Sequence, residues 1–411
     1  MRNKFSNIMS KIEGYRQEII DFEAQATRIP ALSPENGGDG ERDKYEYVKS
    51  WITRHLRPDV LNEYLAPDER VACGYRPNLV AIFKGQSNQR TVWIMTHLDV
   101  VPPGDLSKWT GNPWIVRVVE GKIIGRGVED NQQGLTSSVF AVRAYRDLSL
   151  KPKHNVGLVV VSDEETGSKY GIQHLLKEDR ELFRNDDLII IPDAGNDKGT
   201  MIEVAEKSIL WLCFHTKGKQ THGSRPEDGN NAHKAASFLV VQLDKLYKKF
   251  AKEDPVFDPP ISTFEPTKRE ANVPNINTIP GEDVMYFDCR ILPNYKIPKV
   301  MEAVEAIVKE VEVEFKVKIS ATPVQEAQAA PPTPTDAPVV QAITKAVREL
   351  RGRRPKPMGI GGGTVAAFFR HAGIPAAVWS TMDSTAHGPD EYSLIDNIIG
   401  DAKVFAHIFS S

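Results

Sequence analysis

The first half of the chain alternates between short apolar runs and stretches with helical periodicity. Apolar runs of four to eight residues rich in β-branched side chains predict buried strands, whereas apolar positions three and four residues apart predict helices. We predict strands at 78–85, 91–97, 155–165 and 187–195, and helices at 134–148 and 171–183. Continuous β-branched runs that alternate with helices are typical of a mostly parallel sheet with helices on both faces. The pattern therefore predicts an α/β domain.

The pattern changes after about residue 206. Strands are predicted at 209–218, 283–292 and 314–322, and helices at 231–252 and 300–312. This order describes a small α+β sandwich inserted into the larger domain. We therefore predict a main domain in two parts, 1–206 and 323–411, around an inserted domain of residues 207–322. The Pro- and Ala-rich stretch 323–338 fits either an extended connection back to the main domain or a simple surface loop.

Composition and charge exclude several classes of protein. With 411 residues, 40% hydrophobic and 26% charged, the chain is too long for one ordinary core and has the composition of a globular protein. A net charge of -3 argues against a nucleic-acid binder held by electrostatics, although residues 348–356 are locally basic. No apolar run approaches the roughly 18 residues of a membrane span, and the first residues lack a signal peptide's apolar core. We expect a cytoplasmic protein with neither a nucleic-acid nor a membrane partner.

Three cysteines, Cys73, Cys213 and Cys289, are far apart along the chain. Their number is odd and their spacing fits neither a disulfide framework nor a zinc knuckle. Free cysteine is usually buried and behaves as a small apolar residue. We expect all three to be structural.

Polar residues follow the predicted strands where each strand ends. His97 and Asp99 follow one strand, residues 163–165 (Asp-Glu-Glu) follow the next, and Asp193 follows a third. Ligands in open α/β sheets bind outside the carboxyl ends of the strands, so these side chains are predicted to share one edge. Between them, the glycine-flanked segment 125–134 contributes a further aspartate, Asp130.

So many carboxylates at one edge would repel one another and raise one another's pKa values unless cations lie between them. Two divalent metal ions would explain the excess, since such a site needs a bridging carboxylate, terminal ligands and a base. The late segment 380–393 supplies His387 as a further ligand. Taken singly, each residue has a plainer interpretation as a turn or loop residue or, for the glutamates, as an acidic turn before a helix. Only their combination favours a metal site.

Six motifs occur in order along the chain: "THLDVVPPGD", "GRGVEDNQQG", "SDEETGS", "PDAG", "THGSRP" and "AHGPDEY". This series resembles the family of dinuclear zinc metallopeptidases and deacylases that includes succinyl-diaminopimelate desuccinylase, acetylornithine deacetylase, carboxypeptidase G and aminoacylase. The resemblance extends from residue 96 to residue 392. It implies that 1–206 and 323–411 form a zinc-peptidase-like catalytic domain and that 207–322 form a lid and dimerisation domain.

The resemblance also implies roles for individual residues. The implied metal ligands are His97 and Asp193 for one ion, Glu165 and His387 for the other, and Asp130 as the bridge between them. Asp99 would accept a hydrogen bond from the far nitrogen of His97 and fix its tautomer. Glu164 would be the general base that takes a proton from the water and passes it to the leaving amine.

Further polar residues are candidates for binding the substrate. In related enzymes the histidine that matches His222 reaches across a dimer to polarise the scissile carbonyl, although a surface histidine in a turn has the same pattern. Asn277 and Arg290 resemble contacts to a substrate carboxylate, and Arg290 could equally be solvated at a sheet edge. A glycine-rich turn that enters a helix could cradle a carboxylate or be a plain helix start; its residues are Gly361, Gly362, Gly363 and Thr364.

These observations predict hydrolysis of an amide bond next to a free carboxylate, by hydroxide held between two divalent metal ions, with Glu164 as base. A mixed set of histidines and carboxylates suits Zn²⁺ best, with Co²⁺ or Mn²⁺ tolerated. The first interpretation is an N-acyl-amino-acid deacylase of the desuccinylase or acetylornithine deacetylase type. The second is a dipeptidase or carboxypeptidase with the same metal core, and the third an inactive metal-binding relative.

The predicted partners are a small substrate, either an N-acyl amino acid or a short peptide, and a second copy of the chain that pairs through the inserted domain. The sequence "DNQQG" at 130–134 departs from many relatives, which carry a lysine after the asparagine. This departure bears on substrate preference rather than on catalysis.

Overall fold

A computed structural model of the protein describes residues 2–411, which form two compact units. The first unit contains the chain up to Val204, together with Thr333–Pro357 and Phe368–Ser411. The second unit contains Ala205–Pro332 and Met358–Ala367. Residue 1, where the predicted main domain begins, lies outside the described residues.

The helices are numbered in chain order. They are Arg2–Glu13 (α1), Arg16–Thr27 (α2), Arg42–Leu56 (α3), Gln133–Asp147 (α4), Ile172–Glu178 (α5), Ala232–Leu243 (α6), Lys245–Lys249 (α7), Ile297–Phe315 (α8), Pro338–Arg351 (α9), Ala366–His371 (α10) and Ile395–Phe409 (α11). None of the helices in residues 2–411 has the length and apolar character needed to cross a membrane.

The strands are numbered in the same way. They are Val60–Pro67 (β1), Tyr75–Phe83 (β2), Ser87–His97 (β3), Arg117–Val119 (β4), Lys122–Ile124 (β5), His154–Val161 (β6), Leu188–Asn196 (β7), Met201–Glu206 (β8), Ser208–Lys217 (β9), Thr221–His222 (β10), Thr263–Arg269 (β11), Thr278–Ile279 (β12), Glu282–Ile291 (β13), Lys318–Ala327 (β14), Lys356–Ile360 (β15), Ala376–Thr381 (β16) and Tyr392–Leu394 (β17).

The largest sheet has eight strands in the order β1-β2-β6-β3-β7-β16-β8-β15. Its central strands β6, β3, β7 and β16 are parallel, whereas β1, β2 and β8 run antiparallel to their neighbours. The four parallel strands therefore present their carboxyl ends at the same edge. The prediction of an α/β fold with a largely parallel sheet flanked by helices is confirmed.

The apolar runs that predicted strands are buried in this sheet. Ile189, Ile190 and Ile191 on β7 are each at most 1% exposed. Helix α4 is buried almost all round because it contacts strands β3, β6 and β7 on one side and helices α2, α3 and α11 on the other. A helix that is enclosed on all sides fixes the segment before it, and that segment contains Asp130.

A small three-stranded sheet, in the order β17-β5-β4, joins two distant parts of the first unit. Strand β17 is antiparallel to β5, with Tyr392 opposite Ile124. Just beyond this pair, the amide of Gly125 donates to the carbonyl of Glu391 at 3.0 Å. The segment that precedes β17, which carries His387, therefore runs beside the segment that follows β5, which carries Asp130.

The second unit is built around a four-stranded antiparallel sheet in the order β11-β13-β9-β14. Buried and less buried residues alternate along β9 and β13, as expected of a sheet with one covered face. The covered face carries Leu210, Leu212 and Phe214 from β9, and apolar residues of α6 and α8 belong to the same core. A two-stranded ribbon of β10 and β12 completes the unit.

Several predicted elements of the second unit have different bounds in the structure, and two of them differ most. The helix predicted over 231–252 is divided at Asp244 into α6 and α7 and ends at Lys249. The strand predicted at 314–322 begins later, because α8 continues to Phe315 and Lys316 then adopts a left-handed conformation with φ of 52°. The strand itself extends to Ala327, inside the Pro- and Ala-rich stretch.

Candidate metal centre

The carboxyl ends of β3, β6 and β7 bring together the polar residues that follow them. His97, the last residue of β3, lies opposite Val161, the last residue of β6, in a parallel pairing. Because β6 ends there, Glu164 and Glu165 follow at the same edge of the sheet. Strand β7 is parallel to β3 on its other side and carries Asp193 near its end. The predicted convergence at one sheet edge is therefore present.

The first group of potential ligands consists of His97, Asp130 and Asp193. Nε2 of His97 lies 3.0 Å from Oδ1 of Asp130 and 3.4 Å from Oδ1 of Asp193. One ligand atom from each of the three residues lies within 4.8 Å of the other two. This spacing is compatible with a single cation between them.

The second group consists of Asp130, Glu165 and His387, with the same mutual spacing. Nε2 of His387 lies 3.1 Å from Oδ2 of Asp130 and 3.3 Å from Oε2 of Glu165. Asp130 therefore belongs to both groups and presents a different carboxylate oxygen to each histidine. All five predicted ligands lie at this site.

The crowding of carboxylates changes their affinity for protons. Burial and the charge of Asp193 raise the pKa of Glu164 well above its usual value. Burial also raises the pKa of Asp193, and it raises that of Glu165 to about 7. The pKa of Asp130 is instead lowered, because its hydrogen bonds to His387 and His97 outweigh the effect of burial.

The neighbouring carboxylates raise the pKa of both histidines. Burial lowers the pKa of His97, but hydrogen bonds to Asp130 and Asp193 raise it well above the usual value. Hydrogen bonds to Asp130 and Glu165 raise the pKa of His387 to about 10. A proton on either imidazole is thus favoured by the same carboxylates that would favour a metal ion.

The donor set fits divalent metal ions. Each group combines one imidazole nitrogen with carboxylate oxygens, which zinc and related transition metals bind well. Oε1 of Glu165 is buried and has no hydrogen-bond partner among the described residues. A buried carboxylate oxygen without a partner is costly, and a cation at the second group would satisfy it.

Asp99 is fully buried behind the two groups. Nδ1 of His97 lies 3.0 Å from the carbonyl oxygen of Asp99 and 3.5 Å from its carboxylate, so the nearer acceptor is the main chain. The carboxylate itself accepts the amide N–H groups of Glu164 and Glu165, at 3.0 and 2.9 Å. Asp99 thereby connects the ends of β3 and β6.

Glu164 lies beside the first group with its side chain 16% exposed, and its Oε2 is 4.0 Å from Nε2 of His97. No hydrogen bond found in residues 2–411 involves its carboxylate. Unlike Glu165, its carboxylate belongs to neither group of ligands. The carboxylate therefore lies at the edge of the site with its hydrogen-bonding capacity unused within the described residues.

Three buried residues that the sequence analysis did not single out hold the centre together. The carboxylate of Glu391 accepts the amides of residues 127, 129 and 130, and that of Glu129 accepts the amides of residues 383, 385 and 386. Nδ2 of Asn131 donates to Asp193 Oδ1 at 2.8 Å and to the carbonyl of Pro192 at 2.7 Å. All three lie within the motifs "GRGVEDNQQG" and "AHGPDEY", so the signal was present, but the partners are backbone groups that a sequence does not reveal.

His222 and Asn277 belong to the second unit. His222 is exposed on β10, and its Nδ1 lies 2.8 Å from the hydroxyl of Ser224. Asn277 precedes β12, and its carbonyl accepts the amide of Gly223 at 2.6 Å. Both residues are therefore close together on the β10–β12 ribbon, and their predicted roles remain predictions.

Arg290 and the glycine-rich turn also belong to the second unit. Arg290 donates from Nε and Nη2 to the carboxylate of Asp288, at 2.6 and 3.0 Å, and from Nη1 to the carbonyl of Gly361 at 2.8 Å. The amide and hydroxyl of Thr364 donate to Oε1 of Glu206, at 2.9 and 2.6 Å. A side chain at Gly361, Gly362 or Gly363 would meet nothing within 4 Å. Of the residues predicted to bind a substrate carboxylate, Arg290 and Thr364 thus contact carboxylates of the chain itself.

Two of the three cysteines have buried or hydrogen-bonded surroundings. Cys289 is 1% exposed and lies in the core of the second unit, and burial raises its pKa to about 12. The thiol of Cys73 donates to the carbonyl of Tyr75 at 3.0 Å. The described residues contain no disulfide, and all three cysteines are free.

Known proteins resemble the chain in sequence and in structure. A family model described as Peptidase family M20/M25/M40 matches residues 93–411. An uncharacterised metallohydrolase of Methanocaldococcus jannaschii is 40% identical over 406 residues, which cover 95% of this chain and 98% of that protein. Succinyl-diaminopimelate desuccinylase of Sulfurovum sp. is 29% identical over 316 residues, which cover 75% of this chain and 80% of that protein.

A solved structure shares the fold. Human carnosine dipeptidase 1 superposes with a TM-score of 0.74 at 17% sequence identity, and the match covers 98% of each chain. At this level of identity the likeness establishes the fold alone.

Proposed function

The chain belongs to peptidase family M20/M25/M40, whose members are metal-dependent hydrolases, and we propose that it cleaves an amide bond next to a free carboxylate with two divalent metal ions. The observation that carries this proposal is the carboxylate of Asp130, which presents one oxygen to His97 and the other to His387. A carboxylate shared in this way is the ligand that a pair of ions requires.

The ligands of each ion follow from the two groups. His97, Asp193 and Asp130 would hold one ion, and Glu165, His387 and Asp130 would hold the other. The mixture of imidazole and carboxylate favours Zn²⁺, with Co²⁺ or Mn²⁺ as substitutes. When bound, such ions polarise the substrate carbonyl and lower the pKa of a water molecule.

Glu164 is the residue we assign to proton transfer. Its carboxylate is beside the first group but is held by no hydrogen bond within residues 2–411, and its raised pKa favours accepting a proton. It would take the proton from the attacking water and deliver it to the nitrogen of the leaving amine. Asp99 contributes by fixing the backbone of Glu164 and Glu165, so that one turns towards the ligands and the other remains available.

We propose that the protein is an N-acyl-amino-acid deacylase, which hydrolyses the amide bond of N-acyl amino acids. The sequence likeness to a succinyl-diaminopimelate desuccinylase supports this proposal. We further propose that His222 stabilises the developing oxyanion, that Arg290 and Asn277 bind the substrate carboxylate, and that a homodimer forms through the second unit. All five ligand residues and Glu164 are present, which favours an active enzyme over an inactive relative.

The substitution Glu164→Gln tests the catalytic assignment. We expect the rate to fall by about 10²–10⁴-fold, the usual contribution of a general base, while both metal ions remain bound. Metal content is measured by elemental analysis on the same preparation, and Glu181→Gln, at an exposed glutamate, is the control. A Glu164→Gln variant that hydrolyses as fast as the unmodified protein would show that another group is the base.

A substrate screen tests the specific activity. The metal-free protein is supplied in turn with Zn²⁺, Co²⁺ or Mn²⁺ and offered N-succinyl and N-acetyl amino acids and dipeptides. We expect hydrolysis of N-acyl amino acids to exceed that of dipeptides in kcat/KM. A preference for dipeptides would identify a peptidase with the same metal centre.

A further inference from the structure

Two buried glutamates that belong to neither group of ligands cross-connect the two segments that carry Asp130 and His387. Glu391 follows His387 and is 0% exposed, and Glu129 precedes Asp130 and is 1% exposed. The carboxylate of each glutamate accepts hydrogen bonds from backbone amides of the other glutamate's segment. We refer to Glu129 and Glu391 as the reciprocal brace.

Glu391 fixes the backbone around Asp130. Its Oε1 accepts the amides of Glu129 and Asp130, at 2.9 and 3.1 Å. Its Oε2 accepts the amide of Gly127 at 2.9 Å and Nη1 of the buried Arg126 at 2.5 Å. Charge-assisted hydrogen bonds to several amides at once leave this backbone little freedom.

Glu129 fixes the loop that leads to His387. Its Oε1 accepts the amide of Asp383 at 2.7 Å, and its Oε2 accepts the amide of Ala386 at 2.8 Å, the hydroxyl of Thr385 at 2.9 Å and the amide of Thr385. Among the ion pairs of the described residues, none involves Glu129. A buried carboxylate without a cationic partner is costly, and the hydrogen bonds from the loop offset that cost.

The loop needs such support because its backbone is unusual. Ser384, His387 and Asp390 have φ values of 60°, 64° and 52°, in the left-handed region that residues other than glycine rarely adopt. Surrounding contacts must maintain these conformations. The amides that Glu129 accepts lie directly before His387 and therefore set the position of its imidazole.

The residue after Asp130 has the corresponding role for the other group of ligands. Nδ2 of Asn131 donates to Oδ1 of Asp193 at 2.8 Å, and its Oδ1 accepts the amide of His97 at 3.4 Å. Three consecutive residues thus have different roles. Glu129 positions the group that contains His387, Asn131 positions the group that contains His97, and Asp130 belongs to both groups.

We propose that Glu129 selectively maintains the metal position formed by Asp130, Glu165 and His387, and that Asn131 selectively maintains the position formed by His97, Asp130 and Asp193, whereas Glu391 holds the backbone of the shared Asp130 and supports both positions. This inference rests on the proposed pair of ions. Glu129, Glu391 and Asn131 act through the ligands and are positioning residues. The consequence is that the two metal positions are separable by substitutions at neighbouring residues that bind no metal.

Titration of the metal-free protein with Co²⁺, followed by calorimetry and visible absorption, tests the proposal. We expect the unmodified protein to bind two ions, and Glu129→Gln to weaken one of them by about 10–100-fold, the usual effect of residues behind the ligands. Asn131→Ala is expected to weaken the other ion to a similar extent. Thr385→Val, which removes a hydroxyl bond to Glu129 and leaves the backbone of Asp130 held by Glu391, provides the same test if Glu129→Gln does not fold.

Double variants identify which ion is affected. His387→Ala removes a ligand of the second position, so adding Glu129→Gln to it should cost little further affinity for the remaining ion. His97→Ala removes a ligand of the first position, so adding Glu129→Gln to it should weaken the remaining ion as well. Equal weakening of both ions by Glu129→Gln, or no weakening, would overturn the proposal.

A matched control separates this effect from a general loss of stability. Asp187 is also a buried carboxylate that accepts backbone amides, those of Thr91 and Arg184, but it lies at the amino end of β7, away from the centre. Asp187→Asn should lower the melting temperature and leave both ions bound with unchanged affinity. Selective loss of one ion in this control would show that destabilisation alone produces the effect.

Hydrogen exchange in the metal-free protein tests the brace without the metals. In Glu129→Gln the amides of Asp383, Thr385 and Ala386 should exchange at least about tenfold faster, whereas those of Thr91 and Arg184 should not change. If the unmodified protein binds a single ion, the proposal of two ions fails. The exchange rates then decide separately whether Glu129 holds the loop, and unchanged rates would overturn that role.

Discussion

Carboxylates occur in two distinct surroundings in this protein. At the candidate metal centre of the first unit, Asp130, Glu165 and Asp193 lie together with only two imidazoles, and one oxygen of Glu165 has no hydrogen-bond partner among the described residues. In the second unit, Asp288 is paired with Arg290, and Glu206 accepts two hydrogen bonds from Thr364. The first arrangement has more carboxylates than cationic partners, and the second supplies its own donors.

This difference indicates which ligand each region can accept. Negative charge that the chain does not balance calls for cations, so the first unit has the electrostatics of a metal site. Donors that already bind a carboxylate of the chain are not available to a substrate. The second unit must therefore release that carboxylate before the same donors can bind a substrate carboxylate. Substitutions at the two regions, metal removal and pH should therefore affect them differently.

The substitution Asp130→Asn should have the largest effect, because Asp130 is the carboxylate that the two groups share. An amide is a weak, neutral ligand, so we expect both ions to be bound more weakly. The rate should fall at least about a thousandfold, since metal ions contribute several kcal/mol to the transition state and each 1.4 kcal/mol is tenfold. Activity is measured with metal content, and Asp105→Asn, at an exposed aspartate, is the control. Two tightly bound ions and full activity in Asp130→Asn would remove the basis of the metal centre.

Removal of the ions should lower stability, because it leaves the carboxylates of the first unit unbalanced. Ions present at about a thousand times their dissociation constant stabilise the folded chain by about 4 kcal/mol. We therefore expect exhaustive chelation to lower the melting temperature by several degrees, and readdition of Zn²⁺ to restore it. An unchanged melting temperature after verified loss of metal would show that the chain balances these charges without ions.

The pH dependence of the chelated protein should have a defined direction, which follows from the pKa shifts at the metal centre. Burial raises the pKa of Glu165 from 4.5 to about 7, and hydrogen bonds to Asp130 and Glu165 raise that of His387 from 6.5 to about 10. Both groups hold more protons folded than unfolded, so the stability they contribute is present at low pH and is lost as pH rises through these values. The melting temperature of the chelated protein should therefore fall from about pH 5 to pH 10. A rise over that range would contradict the protonated arrangement.

The contrast between the two regions also explains which parts of the candidate site could be predicted from the sequence. Apolar runs located β3, β6 and β7, and parallel strands bring their ends to one edge, so His97, Glu165 and Asp193 could be placed together before the fold was known. His387 could be proposed as a further ligand, but its assignment to the second ion came only through the family resemblance. Periodicity alone does not show that β17 pairs with β5 and so brings the loop before Tyr392 beside Asp130.

Other features could not be predicted because they depend on backbone groups brought together by the fold. Glu129 and Glu391 bind amides more than 250 positions away along the chain, and an acidic residue in a sequence does not indicate such partners. The pairing of Arg290 with Asp288 has the same origin: the pattern identified a cation on a strand but not that its donors were occupied. The sequence thus predicts which residues are polar and near one another, whereas the structure shows which of them remain available.

We expect Arg290 to exchange the carboxylate of Asp288 for that of a substrate. If Arg290 binds a substrate carboxylate, Asp288 competes with that carboxylate, so Asp288→Asn should lower KM severalfold. Arg290→Gln should raise KM by about tenfold or more, since a charge-assisted hydrogen bond contributes about 1.5–3 kcal/mol. The measurements are KM and kcat for an N-acyl amino acid and for its carboxamide analogue, which should respond to neither change. Equal responses of both compounds would assign Arg290 a structural role only.

The smallest effect is expected at Thr364, where the donors are already satisfied within the second unit. Thr364→Val removes the hydroxyl bond to Glu206 but retains the amide bond, so the free energy of unfolding should fall by only about 1 kcal/mol. KM should change less than about twofold, because the hydroxyl is engaged by Glu206 rather than awaiting a substrate. Thr385→Val, at the metal centre, is the variant to compare with Thr364→Val. The hydroxyl of Thr385 bonds to Glu129 and supports the loop of His387. A large rise in KM for Thr364→Val would mean that the substrate displaces Glu206, and the second unit would then bind carboxylates by exchange at both Arg290 and Thr364.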